Sequence, residues 1–284
     1  MKIQLLTLAA AFAVSTAAIA DANFDRTLTI SGQPDLYVST GSGNIRIHPG
    51  SDNQIHITGH VHAGWSAMGD VQARVRRVAD NPPIDQSGNT IHIGENTDHN
   101  LFNNISIDYE ITVPKSTALN LRSGSGDVEV DNVGRYLSGH SGSGNVRAHG
   151  LHGAAELQTG SGDIELEDDG GGAVEAKSGS GNIRIHGFDG ALRARTGSGD
   201  IEGEGRLNGE SSVATGSGSV RLRLNPDVHF NLEASTGSGD IRVHFPNAPQ
   251  QSEHWRHHLT GPVNGGGPAL EIHTGSGDVE ISPR

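Results

Sequence analysis

Serine, carboxylate and histidine recur in this sequence at spacings that could do chemistry. Nine serines sit in the frame Gly-Ser-Gly, whose first glycines are Gly41, Gly124, Gly142, Gly160, Gly179, Gly197, Gly216, Gly237 and Gly275. A serine nucleophile of this kind stands on a G-x-S-x-G elbow between strand and helix. These serines fall between two strand-like segments, and nine catalytic copies are implausible, so turn chemistry is the better reading. Carboxylates follow several corners in pairs, Asp127/Glu129, Asp163/Glu165 and Asp200/Glu202. Carboxylate pairs at a set separation cleave glycosidic bonds. Sugar clefts usually offer aromatic platforms, and the regular part of this chain has almost none. Charge pairing between neighbouring repeats is the plainer explanation.

The metal readings are weaker. Gly-Ser-Gly-Asp-Ile is close to the calcium-binding nonapeptide G-G-x-G-x-D, but here Asp follows glycine directly and alternate copies carry Asn or Ser. Calcium needs six to eight oxygens, repeatedly supplied. Among 16 histidines, His60 and His62 would share a strand face, and His254 and His258 would share a face of a helix. Neither pair has a carboxylate or cysteine at a recognised ligand spacing. No metal and no other cofactor is expected. His149 and His186 differ in having acidic neighbours. The tryptophans Trp65 and Trp255 lie in two irregular stretches, the second with His254, His257 and His258. Two readings stay open for them: a recognition surface carried on loops, or caps that cover the ends of a repeat array.

The elements that position these residues follow from the period. Between Gly124 and Gly216 the corners are 18, 18, 19, 18 and 19 residues apart. A fixed period near twenty marks stacked repeats. Apolar pairs follow each corner, as in Val128/Val130, Val146/Ala148, Ile164/Leu166 and Ile183/Ile185, and a second strand precedes it, as in Leu119/Leu121 and Ala155/Leu157. One repeat is therefore strand, Gly-Ser-Gly corner, strand, short loop. Such a pair cannot bury its apolar face alone, and stacking buries a continuous core. The expected fold is an all-β parallel β-solenoid, or β-helix, with rungs of about 18–19 residues and a right-handed coil preferred.

The polar positions test the stacking. One column reads Glu129, Arg147, Glu165, Arg184, Glu202, Arg221, and a second Asp131, His149, Glu167, His186, Glu204, Arg223. A third, just past the corner, reads Asp127, Asn145, Asp163, Asn182, Asp200, Ser219. In-register rungs lie about 4.8 Å apart, where opposite charges attract and a one-rung slip stacks like on like. Duplication of a two-repeat unit would give the same alternation with no electrostatic role. Alternation fails where Arg221 is followed by Arg242 and the step rises to 21, so a bulge or wider corner is expected near residues 225–229.

Around the array, residues 1–20 read as a cleaved signal peptide: Lys2, an apolar stretch to Ile19, and Ala18-Ile19-Ala20. Residues 21–113 read as an irregular β region with a short helix within 64–80, and 114–284 as the regular solenoid with a loop insertion at 246–268. The chain has 284 residues and no cysteine, so disulfides and thiolate chemistry are excluded. A net charge of −13 argues against nucleic acid or anionic lipid. After signal removal no run is long enough to span a membrane. A periplasmic or secreted location is expected.

The motif Val38-Ser39-Thr40-Gly41-Ser42-Gly43-Asn44-Ile45, the step Tyr109-Glu110-Ile111-Thr112-Val113-Pro114 and the terminal Thr274-Gly275-Ser276-Gly277-Asp278-Val279 carry a resemblance. Nearly the whole mature chain resembles the bacterial "putative adhesin" family of β-strand-repeat proteins, which is similar to the auto-transporter adhesin head (GIN) domain. The resemblance implies an extracytoplasmic β-solenoid without known catalysis, and it transfers no functional residue. The expected function is a non-enzymatic cell-envelope or secreted module binding a surface, glycan or protein partner. The alternatives are a polysaccharide-acting lyase or hydrolase and a structural envelope-stress component.

Overall fold

The computed structural model describes residues 21–64, 70–95, 99–169, 171–249 and 257–284. The repeats coil into a β-solenoid whose strands form two twelve-stranded sheets. The strand before each corner lies in one sheet and the strand after it in the other. Inward positions of both carry the apolar pairs, so Leu119, Leu121, Val128, Val130, Ile164, Leu166, Ile183 and Ile185 are all buried in one core. Alternation of apolar and polar residues along each strand is what puts one set inside and the other in water.

The corners show why their sequence is so restricted. From Ser123 onward the Ser or Thr before each corner is buried, and its hydroxyl donates to the carbonyl of the second glycine on the neighbouring rung, as from Ser141 to Gly126 (2.8 Å) and Thr159 to Gly144 (2.7 Å); at the first corner Thr40 is only half-buried and donates to the Ile107 carbonyl. At the corners from Gly41 to Gly179 the same oxygen accepts the N–H of its own corner's second glycine, as from Gly144 (2.9 Å), whereas Gly199 and Gly218 donate to a serine carbonyl of the neighbouring rung. Both glycines stack on glycines. A Cβ on Gly142 or Gly144 would fall well inside contact of the carbonyl oxygens of Gly124 and Gly126. Positive φ is needed at only some corners, for example Gly199 at +145°. Elsewhere close backbone approach alone demands glycine.

The residue after the corner builds a second continuous chain of bonds. The side-chain oxygen of Asn44 accepts the N–H of Asp127 (2.9 Å), that of Asp127 the N–H of Asn145 (2.8 Å), and so on through Asp163, Asn182 and Asp200 to Ser219. Asp and Asn serve equally as acceptors, but alternating them keeps carboxylates from stacking directly. Asn182→Asp would keep the acceptor and place three carboxylates in a row. It is expected to lose about 1 kcal/mol at neutral pH and low salt, with much of the loss screened in high salt. Urea midpoints at two salt concentrations check this, and a loss that salt does not touch would contradict the electrostatic account.

Levels do not follow chain order. The strand Ile45–Pro49 pairs with Val128–Asp131 on one side and Ile105–Val113 on the other. The stretch between the first two corners is thus an excursion that builds the N-terminal end. At the other end, Val279–Pro283 pairs with Val220–Leu224 and with Ile241–Val243, and Ala269–Ser276 likewise lies between Ser211–Ser217 and Phe230–Thr236. The last rung of the chain is inserted beneath the one before it. The longer step near residues 225–229 is a wider connection and not a bulge: the chain leaves one level empty there and returns to fill it.

Antiparallel strands extend three of the four sheet edges, and among the described residues the fourth ends on Ile241–Val243. Strands Asp21–Thr29 and Gln54–Ala63 add antiparallel to one sheet, and helix Val71–Asp80 lays Val75 and Val78 against them. Ile84–Ser87 and His258–Val263 cap the other sheet antiparallel at its two edges. Phe230 and Phe245, edge to face at 5.9 Å, plug the C-terminal end. Covered edges cannot recruit further strands.

Candidate functional site

The two outer faces differ in how they handle charge. On the sheet after the corners, spatial neighbours run Glu110, Arg46, Glu129, Arg147, Glu165, Arg184, Glu202, Arg221, Glu280, Arg242. Signs alternate without a break, although Glu280 comes last in the sequence and Glu110 comes after Arg46. Duplication of a two-repeat unit does not place those two carboxylates correctly, whereas pairing across neighbouring strands does. Arg46 reaches Glu129 (3.4 Å), Arg147 reaches Asp127 (3.4 Å) and Glu165 (3.9 Å), and Arg184 and Arg221 both reach Glu202 (4.0 and 3.5 Å). Arg242 joins Asp240 (2.6 Å) and Asp278 (3.4 Å). The backbone N–H of Asp240 and then Arg242 hold the Asp278 carboxyl below the usual carboxylate range.

The second column lies beside it. His48 pairs with Asp131 (3.2 Å), His149 with Glu167 (3.3 Å), His186 with Glu204 (3.8 Å), and Arg223 and Arg284 with Glu204 (3.6 and 3.2 Å). All these side chains are partly exposed, so each pair contributes about 0.2–1 kcal/mol. Their collective effect is on register. This face satisfies its own charges and leaves little for a ligand.

The sheet before the corners behaves differently. One of its outer columns runs Glu156, Glu175, Arg193, Ser212, Glu271, Glu233, and the next runs Gln158, Lys177, Arg195, Ala214, His273, Ser235, His258. Like charges sit on neighbouring strands at Glu156/Glu175, Lys177/Arg195 and Glu271/Glu233, an arrangement that costs stability. Lys177 pairs with Glu175. Among the described residues no ion pair reaches Arg193, Arg195 or Arg122. Desolvation lowers the pKa of His140 in the same stripe, so at neutral pH the positive charge there belongs to the arginines and Lys177.

Small side chains make this face concave. Where Ser212 and Ala214 replace long residues, a trough opens between Arg195 on one side and Glu271, His273 and Glu233 on the other, and Arg193 lines its adjoining parts. The trough holds a depression of about 310 Å³ there and adjoining ones of about 270 and 280 Å³ beside Lys177 and Glu210. None of these residues was singled out from the sequence, because a run of columns that fail to alternate carries no motif. The signal present was Glu156 followed one repeat later by Glu175, and Lys177 by Arg195.

The aromatic loops contribute less to the picture. Trp65, Trp255 and His254 lie outside the described residues. His257 Nδ1 lies 3.1 Å from the Gly239 carbonyl, and His258 opens the capping strand His258–Val263, exposed. Among the described residues no group of three His, Cys, Asp or Glu could hold a metal ion, and no helix is long and apolar enough to cross a membrane.

A family profile described as Toastrack DUF4097 matches residues 27–282. No curated protein matches. Solved structures do: one described as a "putative adhesin" from Bacteroides fragilis NCTC 9343 is 15% identical, with a TM-score of 0.46, covering 92% of this chain and 97% of that one. Another, described as a "putative cell adhesion protein" from Clostridium sporogenes ATCC 15579, is 11% identical with a TM-score of 0.27, covering 93% and 100%.

Proposed function

The chain belongs to the Toastrack DUF4097 family, and from that premise we propose that it is an exported, non-enzymatic binding module of the adhesin type. Its partner is an extended cell-envelope glycan or protein that lies in the trough over Ser212 and Ala214 and places anionic groups on Arg193 and Arg195. Export rests on the apolar leader at residues 1–20 with its Ala18-Ile19-Ala20 site. Kinship with auto-transporter adhesin head domains belongs to the same reading, as does the division into an N-terminal β region, 21–113, and a regular solenoid, 114–284. Of the two insertions, the described helix Val71–Asp80 and strand His258–Val263 lie at the ends of the stack.

One observation carries the proposal. The same chain neutralises every arginine of one face and leaves Arg193 and Arg195 without carboxylate partners on the other. Departures from local consistency concentrate at functional sites, and an arginine fork suits carboxylate and phosphate. Replacing both arginines by Ala should abolish co-sedimentation with isolated cell envelopes. Replacing Arg184 and Arg221 on the ladder face should leave it unchanged. Equal effects of the two double variants would remove the trough from consideration.

A second reading has one feature in its favour. Glu271 and Glu233 are neighbours in the same trough, next to the insertion that ends in the capping strand. Paired carboxylates can serve a polysaccharide-cleaving enzyme. New reducing ends released from envelope polysaccharide, and lost in Glu271→Gln, would establish that reading in place of the first.

A further inference from the structure

The column of corners stops at Gly41. In the stack, the level beyond it is formed by strands Thr90–Ile93 and Ile105–Val113, which pair in parallel with the two strands of the Gly41 rung. A Gly-Ser-Gly corner joining them would lie directly on Gly41. The chain instead leaves the sheet at Gly94 and returns at Asn104 after the short helix His99–Phe102. Gly41 is consequently unlike Gly124, Gly142, Gly160 and Gly179. Those four stack on a glycine carbonyl and donate their N–H to the residue before the neighbouring corner. At Gly41 a Cβ would meet nothing within 4 Å, and its N–H makes no bond among the described residues.

The missing corner leaves a cleft of about 740 Å³, within the usual size of small-molecule sites. Gly41 and Gly94 form one wall, and Asn103 and Asn104 with Phe102 the other. Tyr109 lies at its base. The Tyr109 side chain is only 2% exposed, its hydroxyl sits beside Gly94, and it makes no hydrogen bond among the described residues. Burial raises its pKa, so it remains a neutral donor. Among the described residues no ionisable carboxylate, amine, guanidinium or imidazole lines the cleft, on a chain of net charge −13.

We infer that this cleft binds a neutral carbohydrate, with the Asn103 and Asn104 amides, the Gly41 N–H and the Tyr109 hydroxyl addressing its hydroxyl groups and the Phe102 ring its apolar face. Amides and a neutral hydroxyl match a polyol in both donors and acceptors. None of the described lining residues would neutralise an acidic sugar. The inference rests on the reading of the protein as a binding module, and it adds a second site, at the N-terminal end, for a different chemical class from that of the arginine trough.

The test is a titration of the full mature chain, read by amide NMR, with cellobiose and with N,N′-diacetylchitobiose, using digalacturonate as the acidic control. At least one neutral disaccharide should give saturable shifts at Gly41, Asn103 and Asn104, and digalacturonate none there. Gly41→Trp fills the cleft from a position with free space, so it should fold normally and lose the shifts. Tyr109→Phe should weaken binding roughly tenfold. The inference fails if neither neutral sugar gives saturable shifts, if digalacturonate binds equally well, or if Gly41→Trp leaves the shifts unchanged. Envelope sedimentation separates the two sites. A protein that sediments with envelopes but ignores both sugars refutes the cleft alone. One that binds the sugars here but never sediments refutes the trough alone.

Discussion

Gly144→Ala should destabilise this protein by about 3 kcal/mol or more, while Gly41→Ala should leave it unchanged or slightly more stable. The contrast isolates one physical cause. Neither position has positive φ, so backbone preference does not separate them. At Gly144 the new methyl would be driven into the Gly126 carbonyl, and Gly126 is itself seated on Gly43 in the same way. A backbone atom cannot rotate aside as a side chain can. Relief therefore requires separating two rungs, which loosens the Ser141 and Thr159 hydroxyl bonds beside them. Inserting atoms into a tight interior costs about 1–3 kcal/mol or more, and here the strain reaches several levels. At Gly41 space is free, and losing a glycine reduces the entropy of the unfolded chain. Urea midpoints of the two variants decide the matter; similar midpoints would show that the corners are far more compliant than their geometry implies.

Deleting residues 269–284 should unravel the C-terminal third and leave the middle of the solenoid folded. That segment buries Leu270, Ile272, Val279 and Ile281 between two levels. At about 1.5–3 kcal/mol per buried side chain, the loss is roughly 6–12 kcal/mol, as large as the net stability of a whole domain. The chain could try to close the gap by lowering the Ile241–Val243 level onto Val220–Leu224, but this would set Arg242 on Arg221. Contacts in a solenoid are between nearest neighbours, so damage should stay local. Hydrogen exchange is expected to show lost protection across residues 220–245 and retained protection across 118–190. Full protection of 220–245 in the shortened chain would mean that the gap closes without penalty.

The period, the two strands per repeat and the glycine corners were legible in the sequence because each is a local pattern repeated many times. Order in space was not, because stacking was read as if chain neighbours were always stack neighbours. That assumption holds from Gly124 to Gly216 and fails at both ends. The failure did leave a trace. Arg221 followed by Arg242 looked like a local irregularity, and it was the charge of the absent Glu280 that the pattern lacked. The short helix expected within residues 64–80 runs Val71–Asp80. The trough was hidden because it is made of exceptions, Ser212 and Ala214 among long side chains. The Gly41 cleft was hidden for a related reason: it exists where a motif fails to occur, between Ile93 and Ile105.

The unbroken sign sequence from Glu110 to Arg242 also bears on how such a molecule can change size. Gaining or losing one coil anywhere along it would bring two equal charges together at the splice, whereas gaining or losing two would leave every junction as it was. Evolution of this architecture is then counted in pairs. The Gly275 coil obeys the same arithmetic: its carboxylate Glu280 makes the tally even between two arginines that would otherwise have met.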